Sequence, residues 1–185
     1  MSEFERQERF LRWGVGVGLG TAVLLILLIA AGLFDPKPVG PFQPAINLTL
    51  AVPAQGQAVH WLDTSLPPGD FSVRLDMTFA EKGTDEVAGL LLGSEAAPLW
   101  VGVSPLGYVE VMDGETAVMP LQTWVHVRPS TNEIWVDMRS EIMTIRINRE
   151  LLWRGMIVLS GRRVGIAAEG EEGVVNGQLS IANGQ

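Results

Sequence analysis

A run without a single charged residue, Trp13 to Phe34, constrains this chain more than any other feature. About 22 residues at 1.5 Å rise make a helix of about 33 Å, and a bilayer's hydrocarbon core is about 30 Å thick. The run therefore reads as one transmembrane α-helix, residues 13–34. Trp13 and Phe34 sit at the depths where interfacial aromatics collect. In the stub 1–12, Glu3, Glu5 and Glu8 balance Arg6, Arg9 and Arg12. Those arginines precede the run and only Lys37 follows it closely. The positive-inside rule then predicts a single-pass protein of the cell membrane, its N-terminus cytoplasmic and its C-terminal part periplasmic or extracellular. Cleavage as a signal peptide near Ala30-Ala31-Gly32 is the competing reading. The length of the apolar stretch favours retention.

Gly14, Gly16, Gly18 and Gly20 alternate along the first half of the run, so Gly14/Gly18 and Gly16/Gly20 are both GxxxG pairs. Such a face lets a second helix backbone approach closely, and predicts other transmembrane subunits as partners. The plainer account is that glycine is common in membrane helices.

The net charge of −8 falls on the residues after the run, because the stub is neutral. An acidic domain repels phosphate backbones, which argues against nucleic acid. It also discourages lying flat on anionic lipid. The chain has no cysteine. That excludes disulfides, thiolate metal sites, cysteine nucleophiles and covalent haem attachment.

Residues 35–45 carry four prolines, at 36, 38, 41 and 44, and are predicted to form a semi-stiff extended linker. Residues 46–185 form the extracytoplasmic domain. Asn47-Leu48-Thr49 matches the glycosylation pattern, a frequent match that matters only in a glycosylating host. Phe71 to Phe79 alternates between apolar (Phe71, Val73, Leu75, Met77, Phe79) and polar (Ser72, Arg74, Asp76, Thr78), which predicts a half-buried strand. LTLAV, AVHWL, VAGLLLG, LWVGVS, YVEVM, WVHVR, EIWVDMR, EIMTIRIN, ELLWRG, RRVGIAAEG and VVNGQLSIA read as further strands. Turn signals such as Ser104-Pro105-Leu106-Gly107 and Asp113-Gly114 separate them. No later segment has a long helical period. The expected fold is all-β, a two-sheet antiparallel jelly-roll sandwich behind one transmembrane helix.

The stretch from Asp70 to Ala182 resembles the concanavalin A-like lectin/glucanase superfamily, in its laminin-G-like and 3-keto-disaccharide-hydrolase-like branch. The resemblance rests on a strand, Ile145 to Asn148, a turn, a short apolar strand, Arg149 to Trp153, and the glycine-bearing strand Gly161 to Ala167. It implies a sandwich and, more weakly, carbohydrate as a ligand. Two departures stand out. Asn148-Arg149 occupies the Asn-Gly turn without its glycine. The glucanases' E-x-D-x-(x)-E catalytic strand has no counterpart, since Glu133 and Asp137 are four apart and lack a third acid.

No catalytic, metal or cofactor set emerges. Glu169, Glu171 and Glu172 form a glycine-flanked acidic loop. It reads first as a solvated hairpin tip and second as a calcium rim or docking patch. Asp113-Gly114-Glu115 reads as a turn. His60 and His126 lack neighbouring ligands in the pattern and read as structural or surface residues. Trp61, Trp100, Trp124, Trp135 and Trp153 are either core or binding aromatics. Alternation puts Trp135 with Glu133 and Asp137 on a polar face, which makes it the best candidate for an exposed interface or ligand residue, with Trp100 next.

The function expected first is a non-catalytic accessory or assembly subunit of a membrane complex. A respiratory or photosynthetic setting is a guess, because the chain carries no redox ligand set. The alternative is a membrane-anchored carbohydrate-binding module. A glycoside-cleaving enzyme ranks third.

Overall fold

The computed structural model describes residues 3–30, 35–53, 56–80, 85–170 and 172–184, and of residues 3–12, 29 and 30 the backbone alone. The chain divides into two units, Met1–Lys37 and Pro38–Gln185.

The first unit holds helix α1, Glu3–Ala30. The helix begins inside the charged stub rather than at Trp13, because nothing between Glu3 and Arg12 breaks it. Gly14, Gly16, Gly18 and Gly20 lie exposed along it, and a Cβ at any of them would meet nothing within 4 Å. No helix among the described residues is long and apolar enough to cross a membrane. The C-terminal end of the uncharged run, 31–34, lies outside those residues.

The second unit is all-β. Its strands are β1 (Ile46–Val52), β2 (Gly56–Ser65), β3 (Phe71–Phe79), β4 (Val87–Gly93), β5 (Pro98–Val103), β6 (Tyr108–Asp113), β7 (Thr116–Thr123), β8 (Thr131–Arg139), β9 (Ile142–Ile147), β10 (Glu150–Met156), β11 (Arg163–Gly170) and β12 (Gly173–Asn183). Two six-stranded antiparallel sheets result, in the orders β1-β12-β3-β8-β9-β10 and β2-β11-β4-β5-β6-β7. The core lies between them. Phe71, Val73, Leu75, Met77 and Phe79 fill it from β3, Ile134 and Val136 from β8, and Leu90 and Leu92 from β4. The sandwich expected from the pattern is therefore present, and its strands fall on nearly all the segments named above.

Two segments differ from expectation. WVHVR, Trp124 to Arg128, is a turn, closed by Val127 N–H donating to the Trp124 carbonyl. Its alternation mimics a strand, but Pro129 and the following Ser130 end it before a partner can pair. Thr116–Thr123, unremarkable in sequence because of Pro120, is instead a strand. It lies at a sheet edge, where a missing N–H is tolerated.

The proline-rich segment is also not a free spacer throughout. From Pro38 it lies against the first sheet. Val39 N–H donates to Ser72 Oγ at 3.0 Å, Gln43 N–H donates to the Ile181 carbonyl, and Phe42 bridges Ala182. Gly40 passes so close to Asn183 that a Cβ would fall 2.1 Å from its carbonyl oxygen. The strap 38–43 thus enters the sandwich at one end, called proximal below. The distal end carries the starts of β8 and β12.

Candidate functional site

The outer face of the first sheet collects the polar residues of β1, β12, β3 and β8. Register places Ser72 opposite Asp137, Arg74 opposite Trp135 and Asp76 opposite Glu133 on β3 and β8. On the other side of β3, Gln178 faces Asp76 and Asn176 faces Thr78. This face has two halves with different characters.

The proximal half is closed. Asp137 is only 4% exposed, and three donors converge on it. Ser72 Oγ donates to Oδ1 at 2.5 Å, Trp135 Nε1 to Oδ1 at 2.8 Å, and Arg146 Nη1 to Oδ2 at 2.6 Å. Trp135 is 5% exposed, because Phe42 of the strap packs edge-on against it at 5.6 Å. Arg74 also packs on Phe42, its guanidinium carbon 4.8 Å from the ring centre. The expectation of an exposed Trp135 is thereby corrected. The residue does point away from the main core, as alternation requires, but the chain's own strap covers it. Sequence could not show this, because Phe42 lies over ninety residues upstream.

The distal half is open. Asn47, Thr49, Asp76, Thr78, Thr131, Asn176 and Gln178 line a trough of about 450 Å³. All but Asp76 are exposed. Thr49 Oγ1 donates to Asn176 Oδ1 at 3.0 Å, which turns that amide's NH₂ outward. Asp76 Oδ2 lies 3.1 Å from Arg74 Nε. Glu133 borders the trough beside Asp76. Burial raises its pKa above the usual carboxylate value, and the Asp76 charge adds to the rise, against the opposing pull of Arg149, Arg74 and Arg128. Glu133 Oε1 makes no hydrogen bond among the described residues, and Arg149 Nε stands 3.9 Å away. The arrangement offers planar amides, hydroxyls and a carboxylate on one sheet face, the donors and acceptors that hydroxyl-rich ligands need. Sequence reasoning missed it, since its residues come from four strands, and the one motif among them, Asn47-Leu48-Thr49, reads as a glycosylation match.

Trp100 lies on the other sheet, between the core residues Leu99 and Val101. It is half-buried, with Nε1 donating to Glu110 Oε1 at 2.6 Å and its ring folded over Gly102. Trp100 and Trp135 therefore do not share a site. Glu169 and Glu172 are exposed at the distal β11–β12 turn, and Glu171 lies outside the described residues. Among the described residues no three acids or histidines are grouped to hold a metal ion.

No protein-family model matches this chain, and no curated protein does either. Solved structures do match in fold. The carbohydrate recognition domain of Emp46p, in its potassium-bound form, is 8% identical with a TM-score of 0.52, over 74% of this chain and 82% of that one. The carbohydrate binding module CBM66 from Bacillus subtilis is 12% identical with a TM-score of 0.51, over 76% and 90%. An Aspergillus kawachii β-fructofuranosidase complexed with glycerol is 12% identical with a TM-score of 0.55, over 78% of this chain but 28% of that one. At such identities the likeness shows the fold alone, a two-sheet antiparallel β-sandwich.

Proposed function

We propose that the chain is a non-catalytic carbohydrate-binding module held at the cell membrane by residues 13–34. The observation that carries this reading is the open polar trough around Asp76, Asn176 and Gln178. Two of the fold's neighbours are named for carbohydrate recognition or binding, which supports the same ligand class. A glycan would lie across the exposed amides and hydroxyls, with Asp76 accepting from vicinal hydroxyls.

Affinity electrophoresis of the detergent-solubilised full chain through gels containing individual polysaccharides tests this. Retardation by at least one is expected, weakened about tenfold by Asp76→Asn, since a charge-assisted hydrogen bond contributes about 1.5–3 kcal/mol. Mobility unchanged by every polysaccharide would refute the reading. Release of reducing sugar that disappears in Glu133→Gln would replace binding by hydrolysis, with the facing acids Asp76 and Glu133 as the reacting pair.

A second reading, the accessory subunit, is favoured by the open glycine face of α1. Stoichiometric co-purification of another membrane protein in the same detergent preparation would support it.

A further inference from the structure

The end of β10 and the loop that follows it present two bare apolar side chains on a braced frame. Met156 is 73% exposed and Val158 87%. Between them Ile157 is buried in the core, so the alternation forces its neighbours outward. The rest of the loop is held. Ser160 Oγ donates to the Ala97 carbonyl, Leu66 N–H donates to the Arg162 carbonyl, and Gly161 sits too close to Gly93 for any Cβ. Beside the loop a largely apolar groove of about 560 Å³ runs over Leu66, Pro67, Phe71 and Leu159. Single exposed apolar residues are ordinary, but two on a rigid loop beside such a groove form a patch that needs a partner.

We propose that this end of the sandwich is a lipid-facing surface, with Met156 and Val158 inserted at the headgroup–acyl boundary of a phospholipid bilayer. The proposal rests on the anchoring part of the reading above. Three observations select lipid as the occupant. First, the strap joins the sandwich at this same end, where Val39 meets Ser72, Gly40 meets Asn183, and Gly184 N–H donates to the Asp70 carbonyl. Second, four residue steps separate Phe34, the last of the uncharged run, from Pro38. Fully extended they span at most about 14 Å, so no long tether separates the uncharged run from Pro38. Third, charge is distributed to suit. Exposed Arg154 and Arg162 flank the loop, at headgroup level. Asp70 and Glu141 share the rim and balance these two arginines, whereas at the distal end the exposed Asp85, Glu150, Glu169 and Glu172 outnumber Arg128 and Arg149. An anionic surface therefore repels the distal end and tolerates the proximal one.

The chain lacks cysteine, so single cysteines report without background. Val158→Cys and, as the distal control, the equally exposed Val125→Cys are made in the full chain. Each is reconstituted in vesicles of phosphatidylcholine, with and without phosphatidylglycerol. An environment-sensitive maleimide is attached in detergent beforehand, where the cysteine is accessible, and iodide is supplied on both sides of the vesicle membrane. The V158C label is expected to emit at shorter wavelength and to be quenched by nitroxide-bearing phospholipid but not by iodide, in both lipid mixtures. The V125C label is expected to do the reverse. Iodide quenching of both labels, in chain that resists alkaline carbonate extraction, overturns the lipid surface and leaves the anchor standing. A V158C label shielded from both quenchers also overturns it and assigns the patch to a protein or glycan. Release of the chain by carbonate overturns the anchoring reading and this proposal with it.

Discussion

Asp137 and Glu133 sit two alternations apart on one strand, yet their surroundings separate them. Asp137 is buried and meets three donors, so its charge is compensated in place. Glu133 is half-buried and faces Asp76, and Arg149, Arg74 and Arg128 offset its charge only in part. Its pKa is therefore raised, first by desolvation and then by the neighbouring acid. A carboxyl whose folded pKa exceeds its unfolded value favours the native state when protonated and opposes it when ionised. Above the raised pKa, Glu133 thus costs stability. Glu133→Gln should raise the melting temperature at pH 7. The gain should shrink as pH falls through the raised pKa and vanish below the ordinary value of 4.5. Thermal unfolding of both proteins across that range checks it. A gain that persists at pH 3 would show that the charge is not the cause.

At the scale of elements, the turns show what the residues announced and what they hid. Asn148 and Arg149 have φ of 53° and 73°, both left-handed, as a two-residue hairpin with the expected Asn-Gly geometry requires. Asn148 suits the position and its side chain is fully used, accepting from Glu133 N–H and donating to the His126 carbonyl. Arg149 does not suit it. A left-handed residue with a Cβ costs about 1–2 kcal/mol, and the contact to Glu133, at 3.9 Å, is long for an ion pair. Arg149→Gly should therefore stabilise the domain by about 1 kcal/mol in urea unfolding; a loss of stability would mean that the arginine's contacts outweigh the strain. The β8–β9 turn has the same geometry at Ser140 and Glu141, with φ of 48° and 68°, and neither residue signals it. There the flanking strands dictate the turn. Phe71–Phe79 was legible because its alternation is set by burial on one face. The trough and the strap were not, because both depend on which distant strands become neighbours. Alternation assigned Trp135 to the right face, but could not reveal that Phe42 closes over it.

At the scale of the whole β unit, the two proposed surfaces lie at opposite ends of one rigid body. Asp70 borders the apolar groove, and Thr78, near the other end of β3, lines the polar trough. Eight residues of extended chain separate them, roughly 27 Å at about 3.4 Å per residue. The core between them is one continuous buried cluster. Substitutions that far apart, with no shared partner, add independently. Met156→Asp, made in the labelled Val158→Cys protein, should therefore abolish nitroxide quenching of that label while leaving polysaccharide retardation unchanged. Asp76→Asn should weaken retardation by about tenfold and leave the lipid contact as it was. The double variant should show both losses at their single-variant size. In vesicles, a double variant whose affinity for soluble polysaccharide falls well beyond that of Asp76→Asn would mean that the bilayer orients the trough toward its ligand. Binding to the membrane and to the glycan would then be one coupled event instead of two.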